Sequence, residues 1–375
     1  MLLSRREMLA GLAFVPAVAS FVPSTKAAGL VTKRFAPRSP AARPPSKRLF
    51  GTAIRPDQLF PGTAIEARIR RDCGLLVPEF HGQWSAVEWV PGQPFHGNYD
   101  AIVDYAQATG KAVRGHALLW EQMTPDWARE AMAQTRDWAI VRRHFASLLP
   151  RYSGRIGEWV VVNEMIDTEH GDGDLRRTSF QRAFGNDYVA RALETARELD
   201  PAAKLMINDY SLSQDNSVDS ARRSALLRLV EALKRRGVPL DSVGIQGHLE
   251  LAKGPVAEKA LAAFLVELAA MGVEIAVTEL DVLESDRRLP LDVRDRRVAE
   301  AVEHFLDVVC DQPAVTSVVT WGLSDEHSWL QDKAAETRIA QAAVPIDSNR
   351  LNRGLPYDSR MRAKPMLEVI VRKLA

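Results

Sequence analysis

The chain has 375 residues, 46% of them apolar, enough for one large domain or two of ordinary size and too many for a disordered chain. Its formal charge of +1 hides an asymmetry: residues 1–48 carry nine Lys or Arg against Glu7 alone, so the remainder sums to −7. A body of that sign repels a phosphate backbone and holds no cluster of Lys and Arg interleaved with aromatics, so nucleic acid is excluded as an expected partner.

At the N-terminus, Ser4-Arg5-Arg6-Glu7-Met8-Leu9 leads into an apolar run from Met8 to Val22, followed by small residues around Lys26, Ala27 and Ala28. This is the pattern of a twin-arginine export signal, which assigns residues 1–28 to a cleaved leader and the mature chain to the periplasm or the extracellular space. Ala19 also fits a small-residue cleavage rule, so the cleavage site stays open. A membrane anchor is the alternative, but the run contains Pro16 and is shorter than the roughly 20 residues a bilayer span needs. No stable span is expected after cleavage. Residues 29–48, which include KRFAPRSPAARPPSKR, read as a basic, proline-rich linker.

From residue 49 onward, short β-branched runs alternate with helical patterns. Candidate strands are Leu49–Ile54, Gly74–Pro78, Ala112–His116, Glu158–Asn163, Lys204–Asn208, Ser242–Gln246, Glu274–Thr278 and Ser317–Trp321. Candidate helices between them include Ala101–Ala108, Asp187–Leu199, Ser220–Arg236 stopped by Gly237, Val256–Met271 stopped by Gly272, and Leu291–Val309. Eight such units predict an α/β fold, a single (β/α)8 barrel spanning 49–375. The competing open, doubly wound sheet usually carries a glycine-rich phosphate turn after its first strand. Here that strand runs into Ile54-Arg55-Pro56-Asp57 instead.

Only Cys73 and Cys310 are present, and nothing in the sequence pairs them or leaves them free. Neither CxxC nor HExxH spacing occurs, so no metal site and no cofactor are expected.

A barrel gathers its reactive groups at the ends of the strands. Those ends carry Glu79, His116 with Trp120, Asn163-Glu164, Asn208-Asp209-Tyr210, Gln246-Gly247-His248, Glu279-Leu280-Asp281 and Trp321. Strands four and seven face each other across a barrel of eight, which allows Glu164 and Glu279 to converge. Breaking a glycosidic bond with retention needs such a pair, one carboxyl protonated and one ionised, on the order of 5 Å apart.

The segments GHALLW (115–120), WVVVNE (159–164), INDY (207–210), QGH (246–248), TELD (278–281) and WGLSDEHSW (321–329) occur in the order that marks family 10 glycoside hydrolases, retaining β-1,4-xylanases, which the chain resembles from about residue 49 onward. Leu355-Pro356-Tyr357-Asp358 and Lys364-Pro365 resemble the family's ending as well. The resemblance implies Glu164 as acid/base and Glu279 as nucleophile. It implies Asn163 on the 2-hydroxyl of the reacting sugar, His248 and Asp281 in a chain orienting Glu279, and Gln246 bonding near Glu164. His116, Trp120, Tyr210, Trp321 and Trp329 would line the sugar site. The implied partner is a polysaccharide cut internally by a monomer.

The family usually carries Pro-Glu-Asn-x-Met-Lys-Trp after strand two, whose Asn and Lys bond sugars on the non-reducing side of the cut. This chain reads Pro78-Glu79-Phe80-His81-Gly82-Gln83-Trp84, which keeps Glu79 and Trp84 but puts Phe80 and Gln83 in the binding positions. Losing a bond to a charged donor costs about 1.5–3 kcal/mol, tenfold or more on the usual substrate. Glu121 replaces the usual histidine after Trp120 and would add negative charge beside the sugar. Three readings follow: a xylanase, a related endo-glycanase acting on a glucan or a bacterial exopolysaccharide, or a non-catalytic carbohydrate-binding barrel.

Overall fold

The computed structural model describes residues 48–331 and 351–375. The twin-arginine segment and the linker up to Lys47 lie outside the described residues.

Eight strands form the barrel: β1 (Leu49–Ile54), β2 (Leu75–Pro78), β3 (Ala112–Gly115), β4 (Glu158–Asn163), β5 (Lys204–Asp209), β6 (Ser242–Ile245), β7 (Glu274–Leu283) and β8 (Val315–Thr320). Each pairs in parallel with the next in sequence, and β8 returns to β1, where Leu49 lies opposite Ser317, so no edge is left open. The helices that follow the strands cover the outside, among them Gly97–Ala108, Ala139–Tyr152, Tyr188–Leu199, Ser217–Arg235, Glu258–Ala270 and Leu291–Asp311. The helix expected from Ser220 starts earlier, at Ser217, because Asn216 accepts a hydrogen bond from the Asp219 amide and caps it. It ends where expected, with Gly237 at φ +70°.

The lumen is filled rather than open. Ala53, Leu75, Val77, Val319 and Trp321 form one apolar group, and Ala117, Val160, Met206 and Ala276 another. Arg114 crosses the lumen from β3: its Nε donates to Glu158 Oε2 at 2.7 Å and its Nη2 to Ser317 Oγ at 2.7 Å, while Ser242 Oγ donates to Glu158 Oε1 at 2.8 Å. This ion pair ties four strands together, and removing Glu158 would strand the buried Arg114 charge at a cost of about 3–5 kcal/mol.

One boundary differs from the sequence reading in a way that matters for the site. β7 does not stop at Thr278 but continues to Leu283, because its last residues pair in parallel with a short extra strand, His248–Glu250. Glu279 and Asp281 therefore sit inside a strand. The β7–β8 register shifts between Val277 and Leu280, so the irregularity brackets Glu279, and such bulges commonly re-aim a side chain. Cys73 is buried and Cys310 half-buried, and both are free thiols. No described helix is long and apolar enough to cross a membrane.

Candidate active site

Asn163 closes β4 and Glu164 follows it directly, Asn208 and Asp209 close β5, and Glu279 lies on β7. A hydrogen-bond chain joins these three strands. Asn208 Nδ2 donates to Glu279 Oε1 at 2.7 Å and to Asn163 Oδ1 at 2.8 Å, while Asn208 Oδ1 accepts from Thr278 Oγ1 at 2.6 Å. β6 makes room for this bridge: a Cβ on Gly244 would lie 2.2 Å from Asn208 Oδ1. Gln246 Nε2 reaches Asn163 Oδ1 at 3.4 Å, so Gln246 supports the residue before Glu164 rather than the carboxyl. With Oδ1 so occupied, the amide nitrogen of Asn163 is the group left to donate to a ligand.

The other oxygen of Glu279 meets His248 Nε2 at 3.3 Å, and His248 Nδ1 meets Asp281 Oδ1 at 2.8 Å. The register that pairs His248 with Asp281 across the extra strand puts them together. Burial disfavours a charged imidazole, but Asp281 and Glu279 outweigh it and push His248 up to about 10. An imidazolium donates from both nitrogens, so it binds both carboxylates at once. Trp329 completes the chain, its Nε1 donating to Asp281 Oδ2 at 2.6 Å.

The two glutamates are pushed in opposite directions. Burial raises Glu164, and the Asp209 and Glu279 charges reinforce it against the pull of Arg176. The indole N–H of Trp120 makes no hydrogen bond of normal geometry, yet its dipole also favours the Glu164 carboxylate slightly. Burial acts the same way on Glu279, but His248, His116 and the Asn208 amide win, and its carboxyl lies below the usual range. His116, buried with its ring 5.0 Å from Trp321, is itself lowered by burial. The two carboxyls are thus pushed apart, Glu164 toward its protonated form and Glu279 toward its ionised form.

Several expected sugar contacts are placed differently. Trp84 is only 2% exposed: its ring stacks on His144 at 4.2 Å and packs against Trp127 and Phe180, so it is a core aromatic with no face to offer a ligand. Gln83 is buried too, its Nε2 donating to the Glu79 carbonyl at 3.3 Å. Phe80 is 45% exposed, and Glu79 accepts from Arg55 Nη1 at 3.1 Å. Glu121 does not charge the sugar site, because its carboxylate accepts from the Ser179 amide at 2.9 Å and hydroxyl at 2.6 Å at the start of the helix Ser179–Phe184. Tyr210 is half-buried and its hydroxyl accepts from Arg176 Nη2 at 2.7 Å.

Sequence reasoning placed Asn208 at a strand end without giving it a role, and it passed over Arg176, Arg222 and Arg55. Asn208 stood inside the INDY segment and was legible as a strand-end amide. The arginines carried no signal, since their positions are set by folding.

A closed (β/α)8 barrel that carries one raised and one lowered glutamate at its strand ends holds the carboxyl pair of a glycosidase. The chain belongs to glycosyl hydrolase family 10, whose model matches residues 41–373. It is 32% identical over 286 residues to endo-1,4-beta-xylanase 3 of Hypocrea jecorina, covering 73% of this chain and 76% of that one. It is 33% identical over 275 residues to a beta-1,4-xylanase of Dictyoglomus thermophilum, covering 71% and 75%. The solved structure of xylanase B from Clostridium stercorarium F9 superposes with a TM-score of 0.74 at 27% identity, covering 87% of this chain and 96% of that one.

Proposed function

We propose that this protein hydrolyses internal β-1,4 bonds of xylan with retention of configuration. The observation that carries the reading is the opposed pair on β4 and β7, Glu164 raised by burial and Glu279 lowered by His248, His116 and Asn208. In the first step Glu279 attacks the anomeric carbon as the glycosidic C–O bond breaks, and Glu164 gives its proton to the leaving oxygen. In the second, Glu164 takes a proton from water, whose oxygen bonds the anomeric carbon and releases Glu279. The relatives named above are xylanases, which supports xylan as the polymer.

A second reading, a family member acting on a glucan or a bacterial exopolysaccharide, is favoured by one observation. Exposed Phe80 and buried Gln83 replace the amide and cation that family members usually present to the non-reducing sugars. Incubating the purified protein with xylan, mixed-linkage glucan, carboxymethyl cellulose and an acidic exopolysaccharide, then sizing the products, separates the two. Short xylo-oligosaccharides support the first reading, and release only from another polymer overturns it.

Residues 1–28 serve in this proposal as a twin-arginine leader and 29–48 as a linker, delivering a monomeric enzyme to the periplasm or beyond. Replacing Arg5 and Arg6 with Lys should leave the protein in the cytoplasmic fraction, and export of the variant at the normal level would contradict this.

A further inference from the structure

Glu164 holds its backbone at φ +58°, in the left-handed region that residues other than glycine rarely adopt. Such a conformation persists only where its surroundings over-determine it, and here they do. The Glu164 amide donates to the Asn208 carbonyl at 2.8 Å, and its carbonyl accepts from Arg176 Nε at 2.9 Å. Arg176 also donates its own amide to the Met165 carbonyl at 2.7 Å, and its Nη2 to Tyr210 Oη at 2.7 Å and the Ile166 carbonyl at 3.3 Å. One guanidinium therefore bridges the backbone that carries Glu164 to the residue that follows β5.

Tyr210 is fixed from the other side. The Arg222 guanidinium lies 4.2 Å from its ring centroid and donates through Nε to its carbonyl at 2.9 Å. Arg222 also donates to the Ile166 carbonyl at 2.8 Å and pairs with Asp209 at 2.5 Å, while Asp209 accepts from the Ile166 amide at 2.8 Å. The segment Glu164–Ile166 is thus held at five of its six polar backbone atoms by Asn208, Arg176, Arg222 and Asp209.

We propose that Arg176 is the positioning residue of the acid/base: its guanidinium, braced by Tyr210 and Arg222, fixes the left-handed backbone that aims the Glu164 carboxyl. The inference rests on Glu164 acting as acid/base. A planar fork is needed because a lysine ammonium reaches the Glu164 carbonyl or the Tyr210 hydroxyl but does not hold both in one plane. The charged groups that bear on Glu164 are Arg176 itself, Asp209 with its partner Arg222, and Glu279 backed by His248 and His116. Arg176 is the cation that opposes the two acids, so its removal raises Glu164 further.

The test is kcat/KM for aryl β-xylobiosides whose leaving groups range from dinitrophenol, which departs unprotonated, to phenol, which needs the acid. Arg176→Met should lose on the order of 10² in rate on the phenyl substrate, the cost of a misplaced catalytic group, with little loss on the dinitrophenyl one. Its alkaline limb should move to higher pH. Equal losses across leaving groups, with the limb in place, overturn the proposal. Should Arg176→Met fail to fold, Arg176→Lys and Tyr210→Phe carry the same test, and a wild-type leaving-group trend in both overturns it. Glu164→Ala separates the two levels. If it shows no leaving-group trend, the acid/base assignment fails; if it does and the Arg176 variants do not, only the positioning role fails.

Discussion

Asn208→Ala removes the bridge between β5, Asn163 and Glu279. The Nδ2 bond to Glu279 ends on a carboxylate, and such bonds contribute about 1.5–3 kcal/mol to the charged form. Without it, Glu279 keeps one side-chain anchor, His248 at 3.3 Å, and Asn163 Oδ1 keeps only Gln246 at 3.4 Å. The lost bond leaves the carboxylate more basic, which alone would favour attack, so any fall in rate measures alignment. A catalytic group displaced by about 1 Å costs on the order of 10², and kcat/KM on xylohexaose should fall by that order. Because the bond favoured the ionised form, the acid limb of the pH–rate profile should move to higher pH. Thermal denaturation monitors the fold, since Thr278 Oγ1 also loses its acceptor. A folded variant with less than a threefold fall and an unmoved acid limb would refute the bridge.

Three further outcomes are expected. The wild-type kcat/KM profile should be bell-shaped and wide: Glu279, lowered, stays ionised below the ordinary glutamate range, and Glu164, raised, stays protonated above it. A single alkaline limb that survives in Glu164→Gln would contradict the assignment. Trp84→Ala should cost about 3–5 kcal/mol of stability by chemical denaturation and leave KM for xylo-oligosaccharides nearly unchanged at a temperature where it is folded, because the ring lies in the core. A KM effect without a stability effect would return Trp84 to the sugar site. Phe80→Asn should raise kcat/KM on xylan by about two- to tenfold, the worth of one hydrogen bond of roughly 0.5–1.5 kcal/mol, with no gain on substrates that leave the non-reducing subsites empty.

The barrel was legible because its strands are short buried runs, such as Glu158–Asn163, at regular spacing between helical patterns, and because Gly237 and Gly272 mark helix ends. The glutamates were legible because strand order puts the ends of β4 and β7 on one rim, three strands apart around the barrel. What escaped depends on pairing that no local pattern encodes. The extension of β7 to Leu283 needs the His248–Glu250 strand as its partner, and that strand is only three residues long. Trp84 illustrates the converse: it stands only six residues beyond the end of β2, yet the turn into the helix Trp84–Val87 carries its ring onto His144. Glu121 was misread for a similar reason, since the helix start that its carboxylate caps lies 58 residues downstream. Arg176 and Arg222 are ordinary surface-type residues in sequence and become part of the site only when the β4 and β5 loops meet.

Glu279 is central to the mechanism as its nucleophile, and a trapped intermediate tests that most directly. A 2,4-dinitrophenyl 2-deoxy-2-fluoro-β-xylobioside slows both steps but keeps the good leaving group, so the glycosyl-enzyme accumulates. Intact mass spectrometry should show one added fluoroxylobiosyl group per chain, and peptide mapping should place it on the TELD segment at Glu279. An adduct on Glu164 or another carboxylate, or turnover without any covalent species, would contradict the account.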